Sequence, residues 1–212
     1  MFERGLAEFA LYGNRIVLLV LVLASVINVG LFIERRRFFH RHLLRDAHGL
    51  GERILRASSL AQVQSELSAA PSLETQLVVA GLDGADTTPE FEKRVEGRTA
   101  LARVQWERFT GVFAWTSSNG PLAGLLGTVL GLMKAFSDLA VAAIPEPRVA
   151  LAGISDALLT TVLGIVVAIP ATAFYNYCKL RGRKASAGVN ALTALIASRN
   201  LFPSDSRGNA ES

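Results

Sequence analysis

The chain has 212 residues, half of them hydrophobic, with 22 Lys and Arg against 18 Asp and Glu and a formal net charge of +4. That apolar content is too high and too unevenly spread for an ordinary soluble domain of this length, and it indicates an integral membrane protein. One cysteine, Cys178, excludes an intrachain disulfide, and three histidines without Cys/His spacing give no metal site and imply no cofactor. The basic residues gather beside apolar stretches rather than along a soluble face, which argues for membrane topology and against a nucleic-acid partner.

An N-terminal segment, 1–15, precedes the first predicted transmembrane helix, 16–33, IVLLVLVLASVINVGLFI. At ~1.5 Å per residue it rises roughly 27 Å, close to the hydrocarbon thickness. A cleaved signal peptide is the rival reading, with Arg4 and Arg15 as its basic flank; no small-x-small cleavage site follows, and Glu34-Arg35-Arg36-Arg37 closes the stretch as a stop-transfer flank does. Arg35, Arg36, Arg37, Arg41 and Arg45 follow this span, so the positive-inside rule puts the N-terminus in the periplasm and the next segment in the cytoplasm.

Residues 34–111 form a predicted cytoplasmic helical domain, polar and with helical periodicity. Ser59-Leu-Ala-Gln62 has capping-box spacing, Pro71 interrupts the helix that follows, and Gly81-Leu-Asp-Gly-Ala-Asp-Thr-Thr is a loop ending at Thr88 as N-cap, with Pro89 at the first helical position. Phe91, Val95, Ala102, Trp106, Phe109 and Phe113 share one face of the next helix, with Glu90 and Arg94 as an i,i+4 pair outside, and this run is expected to feed directly into the second span. The stripe is read as packing against sibling helices.

The second span is placed at 112–143 and the third at 149–178, joined by a periplasmic turn, 144–148, whose two prolines prevent one continuous helix. Lys179, Arg181, Arg183 and Lys184 follow the third span, so the tail, 179–212, is cytoplasmic; its end, from Pro203, lacks apolar content and reads as disordered. The fold class is all-α, with three membrane-spanning helices extending into a helical cytoplasmic domain.

Gly120, Gly124, Gly127 and Gly131 give overlapping GxxxG spacings in the second span, the pattern that lets helix backbones approach closely in lipid. Thr128 either returns its hydroxyl to the carbonyl four residues back or faces a polar path. In the third span Asp156, Thr160, Gly164 and Ala168 recur at i,i+4, with Thr161 beside them, so one side of that helix is polar and small. Asp156 is the residue to explain. It is either an N-cap near the outer helix end, or, with the apolar run starting at Val149, a carboxyl about 10 Å inside a spanning helix, where an ionisable group marks an ion path. Pro170 is read as a helix kink.

GPLAGLLGTVLGLMKAF followed by ISDALLTTVLGIVVAIPATAFYNY resembles the MotA/TolQ/ExbB proton-channel family, and three spans with a large segment between the first two look like its TolQ/ExbB branch. The resemblance is specific over about Trp115 to Tyr177. It implies an inner-membrane ring of these subunits, a pentamer, enclosing single helices of a partner similar to ExbD or TolR, with a TonB- or TolA-like periplasm-spanning protein beyond. Carried over residue by residue, Thr128 and Thr161 match the family's threonines of the second and third spans and Asp156 its acidic residue. The family usually has Glu at that position, one methylene longer.

A carboxyl in a low-dielectric site is favoured in its neutral form and ionises when water reaches it, which is the property a proton-accepting site requires. Inward proton movement, worth about 2.3 kcal/mol per charge per 100 mV, is then expected to drive the partner helices. The alternative is a non-conducting oligomeric scaffold using the same packing. No catalytic set, paired carboxylate site or phosphate loop supports an enzyme.

Overall fold

The computed structural model describes residues 2–44, 46–141, 147–199 and 201–202, and side chains from residue 12 onward within them except at positions 141, 147 and 149. Among the described residues all regular structure is helical: α1 (Phe2–His42), α2 (Ala47–Arg56), α3 (Leu60–Ala69), α4 (Leu73–Leu82), α5 (Thr88–Trp106), α6 (Thr110–Val141) and α7 (Pro147–Ala197). Stretches of α1, α6 and α7 are long and apolar enough to cross a membrane, as expected of a three-span chain. The turn expected at 144–148 falls outside the described residues except for Pro147 and Arg148, which open α7. There the proline sits where its missing N–H costs no helical bond. The tail from Pro203 also lies outside them.

Two compact units divide the chain, residues 1–34 with 109–177 and residues 35–108 with 178–212. The second packs α2 to α5 and the end of α7 around Leu50, Ile54, Leu67, Phe91, Val189 and Ile196, all fully buried. Its caps differ in detail from those expected. Ser59 accepts from Gln62 N, but the Gln62 side chain reaches the N–H of Ser58, so the reciprocal box is not closed on Ser59. The closed capping box is at Ser72 and Thr75, at the start of α4. The cap of α5 is Thr87 rather than Thr88: its hydroxyl accepts from Glu90 N, one residue earlier than the Thr-Pro pair suggests. Arg94 donates to Glu90 at 2.6 Å and 3.0 Å; this, with the N–H of Asp86, holds the Glu90 carboxyl below its usual range. The pair therefore supports the helix start above the ordinary carboxylate range and loses that support as pH falls.

The apolar run of α5 does not pass straight into α6. Helix α5 stops at Trp106, and Phe109 adopts φ 66°, a left-handed conformation rare for a bulky side chain. Phe91, Val95, Trp106 and Phe113 are buried as expected, while Ala102 and Phe109 are half-buried.

Arg35, which topology alone reads as a membrane flank, is 3 % exposed. Its guanidinium donates to Gln105 O at 2.9 Å and Trp106 O at 3.1 Å, carbonyls of the last turn of α5, and lies 4.6 Å from the Phe38 ring centre. Arg35→Met is expected to destabilise this unit by about 1.5–3 kcal/mol, the worth of hydrogen bonds made by a charged group. Thermal unfolding followed by tryptophan fluorescence checks it.

Within the first unit α1, α6 and α7 pack through small and aromatic residues. Phe32 stacks on Phe174 with ring centres 4.0 Å apart, and Asn28, buried in the middle of an apolar span, donates to Thr116 Oγ1 at 3.0 Å and to Ala24 O at 2.7 Å. Both Pro121 and Pro170 lie inside helices. Each removes one backbone donor, and Pro170 sits where a helix kink is expected.

Candidate functional site: a carboxylate beside a glycine seam

The seam between α6 and α7 follows from its glycines. A methyl added at Gly164 would lie 2.7 Å from Gly120 O and 2.9 Å from Gly124 Cα; one at Gly124 would lie 3.0 Å from Thr160 O. At Gly131 it would meet Ala157 Cβ at 2.6 Å, and at Gly127 the Thr160 side chain. Gly120, Gly124, Gly127 and Gly131 therefore form one face that meets Ala157, Thr160, Gly164 and Ala168 nearly backbone to backbone. In lipid such contact replaces the hydrophobic effect as the basis of helix association.

Hydroxyls cross this seam. The Thr128 hydroxyl is buried within reach of Gly124 O at 3.2 Å, Ala157 O at 3.1 Å and the Thr161 hydroxyl; Thr161 in turn reaches Gly124 O at 3.2 Å. Each hydroxyl has one proton to give, so the pair must choose between the two carbonyls and each other. Of the two outcomes open at Thr128, the bond to its own helix is present, at Gly124 O, and it stands beside contacts across the seam to Ala157 O and Thr161.

Thr160 is fully buried on the same seam and donates to Asn14 Oδ1 of α1 at 2.6 Å, with Asp156 O a longer second acceptor at 3.3 Å. Asp156 is elsewhere. Helix α7 begins nine residues before it, so it is no N-cap, and it lies about 13 Å along the helix at ~1.5 Å per residue. Its side chain is exposed on the single subunit, beside exposed Leu158, Leu159 and Val162, and among the described residues the carboxylate has no hydrogen-bond or ion-pair partner. The stripe from Asp156 to Ala168 is thus split, because each i+4 step advances about 40° round the helix and three steps about 120°. Thr160, Gly164 and Ala168 turn into the seam and Asp156 stays outside it.

Asn14 escaped the sequence reading. The signal available was a glycine and an amide side by side, Gly13-Asn14, at the head of an apolar helix; Gly13 packs on Leu130 and Asn14 fills the notch beside Gly127 and Gly131. Asn28 was likewise a lone amide in an apolar run, a residue type that in a membrane usually bonds a neighbouring helix.

The fold and this site together define a multi-pass membrane protein that carries a carboxylate and a cluster of hydroxyls within its spanning helices. Residues 62–190 match the MotA/TolQ/ExbB proton channel family. The biopolymer transport protein ExbB of Salmonella typhimurium is 31% identical over 211 residues, covering 93% of this chain and 86% of the relative. A putative ExbB-like biopolymer transport protein of Synechocystis is 32% identical over 159 residues, 72% of this chain and 75% of that protein. ExbB of Helicobacter pylori strain J99 is 48% identical over 59 residues, 28% of this chain and 41% of the relative. The chain belongs to the MotA/TolQ/ExbB proton channel family.

Proposed function

We propose that the chain is the channel-forming subunit of an inner-membrane motor that uses the proton motive force to drive a single-span ExbD- or TolR-like partner. Through a TonB- or TolA-like protein, that partner energises an envelope process of the biopolymer-transport, Tol-Pal or gliding-motility kind. In this reading segment 1–15 and the turn 144–148 are periplasmic, and segment 34–111 and the tail are cytoplasmic. Subunits form a ring, five by family resemblance, around the partner helices. The observation that carries the reading is Asp156, a carboxylate inside an apolar spanning helix with no partner among the described residues, which another chain or water must cover in the assembled state. Thr128 and Thr161 supply hydroxyls that can hold water beside the path, and Thr160 anchors the turn that bears the carboxyl. Pro170 shapes the same helix further in.

The purified complex in liposomes is expected to take up protons under an imposed potential, and its output in cells to stop when a protonophore collapses the gradient. A non-conducting scaffold shows neither behaviour, and undiminished output with the gradient collapsed overturns the proposal.

A further inference from the structure

The Thr160 hydroxyl has one proton and two acceptors in reach, Asn14 Oδ1 at 2.6 Å on another helix and Asp156 O at 3.3 Å one turn back on its own. The shorter bond takes the proton. Deprived of that acceptor, a threonine in a helix returns its hydroxyl to the i−4 carbonyl, which slightly destabilises and bends the helix at that turn. Here the turn is Asp156 to Thr160, the one that aims the carboxyl.

The notch that holds the Asn14 carboxamide is shaped for it. A methyl at Gly127 would stand 3.2 Å from Asn14 Oδ1 and one at Gly131 3.4 Å from Nδ2, while Gly13 brings α1 down onto Leu130. Asn14 is half-buried there, at the meeting of α1, α6 and α7.

We propose that Asn14 is a positioning residue for the proton site: by taking the Thr160 hydroxyl proton it keeps the longer 3.3 Å contact to the Asp156 carbonyl from tightening into the main bond and fixes the direction of the Asp156 side chain. The proposal rests on the reading of Asp156 as the proton-carrying group. It gives α1 a part in the chemistry of a site otherwise built from α6 and α7.

Among the described side chains, the other charged or titratable groups on these helices near that end are Tyr12 and Arg15 on α1, Lys134 and Asp138 on α6, and Arg148 on α7; Lys134 and Asp138 pair with each other at 2.6 Å. None is a recorded partner of Asp156.

The test is the pH profile of proton uptake by the assembled complex in liposomes. Asn14→Leu is expected to leave the mass of the complex unchanged and to move the proton concentration for half-maximal uptake by about threefold or more, half a pH unit. Adding Thr160→Val, which removes the hydroxyl that would turn back, is expected to restore the wild-type midpoint. Asn14→Ala serves as a second variant without added bulk. An unmoved profile in an assembled Asn14 variant overturns the proposal, as does a shift that persists in the double variant. Loss of assembly in both Asn14 variants makes the residue a packing element and also overturns it. Asp156→Asn run alongside separates the failures: if it abolishes uptake while the Asn14 variants change nothing, only the positioning role falls; if it leaves uptake intact, the proton-site reading falls and this proposal with it.

Discussion

Asp156→Asn is expected to lower proton-driven output by about a hundredfold or more, the scale on which a positioned proton-transferring group acts, while the complex still assembles. Asparagine matches aspartate in size and offers hydrogen bonds, but it cannot take up and release a proton at physiological pH. The subunit should tolerate it because the carboxylate has no partner among the described residues, so the exchange breaks no recorded contact. Burying a neutral amide in lipid or at an interface is also less costly than burying a charge. Asp156→Glu, which keeps the titrating group and lengthens it by one methylene, is expected to retain output. Proton uptake in liposomes and native mass spectrometry of the same preparations read the two halves of the prediction. Wild-type uptake in the Asn variant would remove Asp156 from the mechanism.

Gly164→Val is expected to act in the opposite way, by dismantling the structure that carries the site. A Cβ at this position meets Gly120 O at 2.7 Å and Gly124 Cα at 2.9 Å, and both are backbone atoms with no rotamer to change. The helices must part to admit it. Extra methylenes in a well-packed core cost about 1–3 kcal/mol, and here separation would also break the Thr128 and Thr161 bonds across the seam. A lower yield of assembled complex and a depressed thermal midpoint are the readouts. Gly97→Ala in α5 is the control, because a methyl there has nothing within 4 Å. It should be neutral or stabilise the helix by about 0.5–1 kcal/mol.

The parts of this fold legible in sequence are those written in local periodicity. The apolar lengths behind α1, α6 and α7, the glycine spacing of the seam and the start of a helix near Pro89 each depend on residues a few positions apart. Three features were not legible, for separate reasons. The left-handed Phe109 that ends the α5 run has no local signal, since glycine or asparagine is the usual occupant of that conformation. The apparent stripe from Asp156 to Ala168 is real in sequence but drifts round the helix, so the same spacing places Thr160 in the seam and Asp156 outside it. The Asn14–Thr160 bond joins residues 146 positions apart, and no motif links them. The residue types of the candidate site are legible in sequence, but which of them share a face required the packed helices.

The near contact of main chains between α6 and α7 has a mechanical meaning. Most packed helices slide past one another by rearranging the side chains between them, and that layer supplies slack. Between Gly120, Gly124 and Gly164 no such layer exists. A push on α7 is expected to pass to α6 with little loss, so that the two helices would tilt or turn as one stiff unit. A covalent staple locking the two helices together at this level is expected to leave proton-driven output of the proposed motor unchanged.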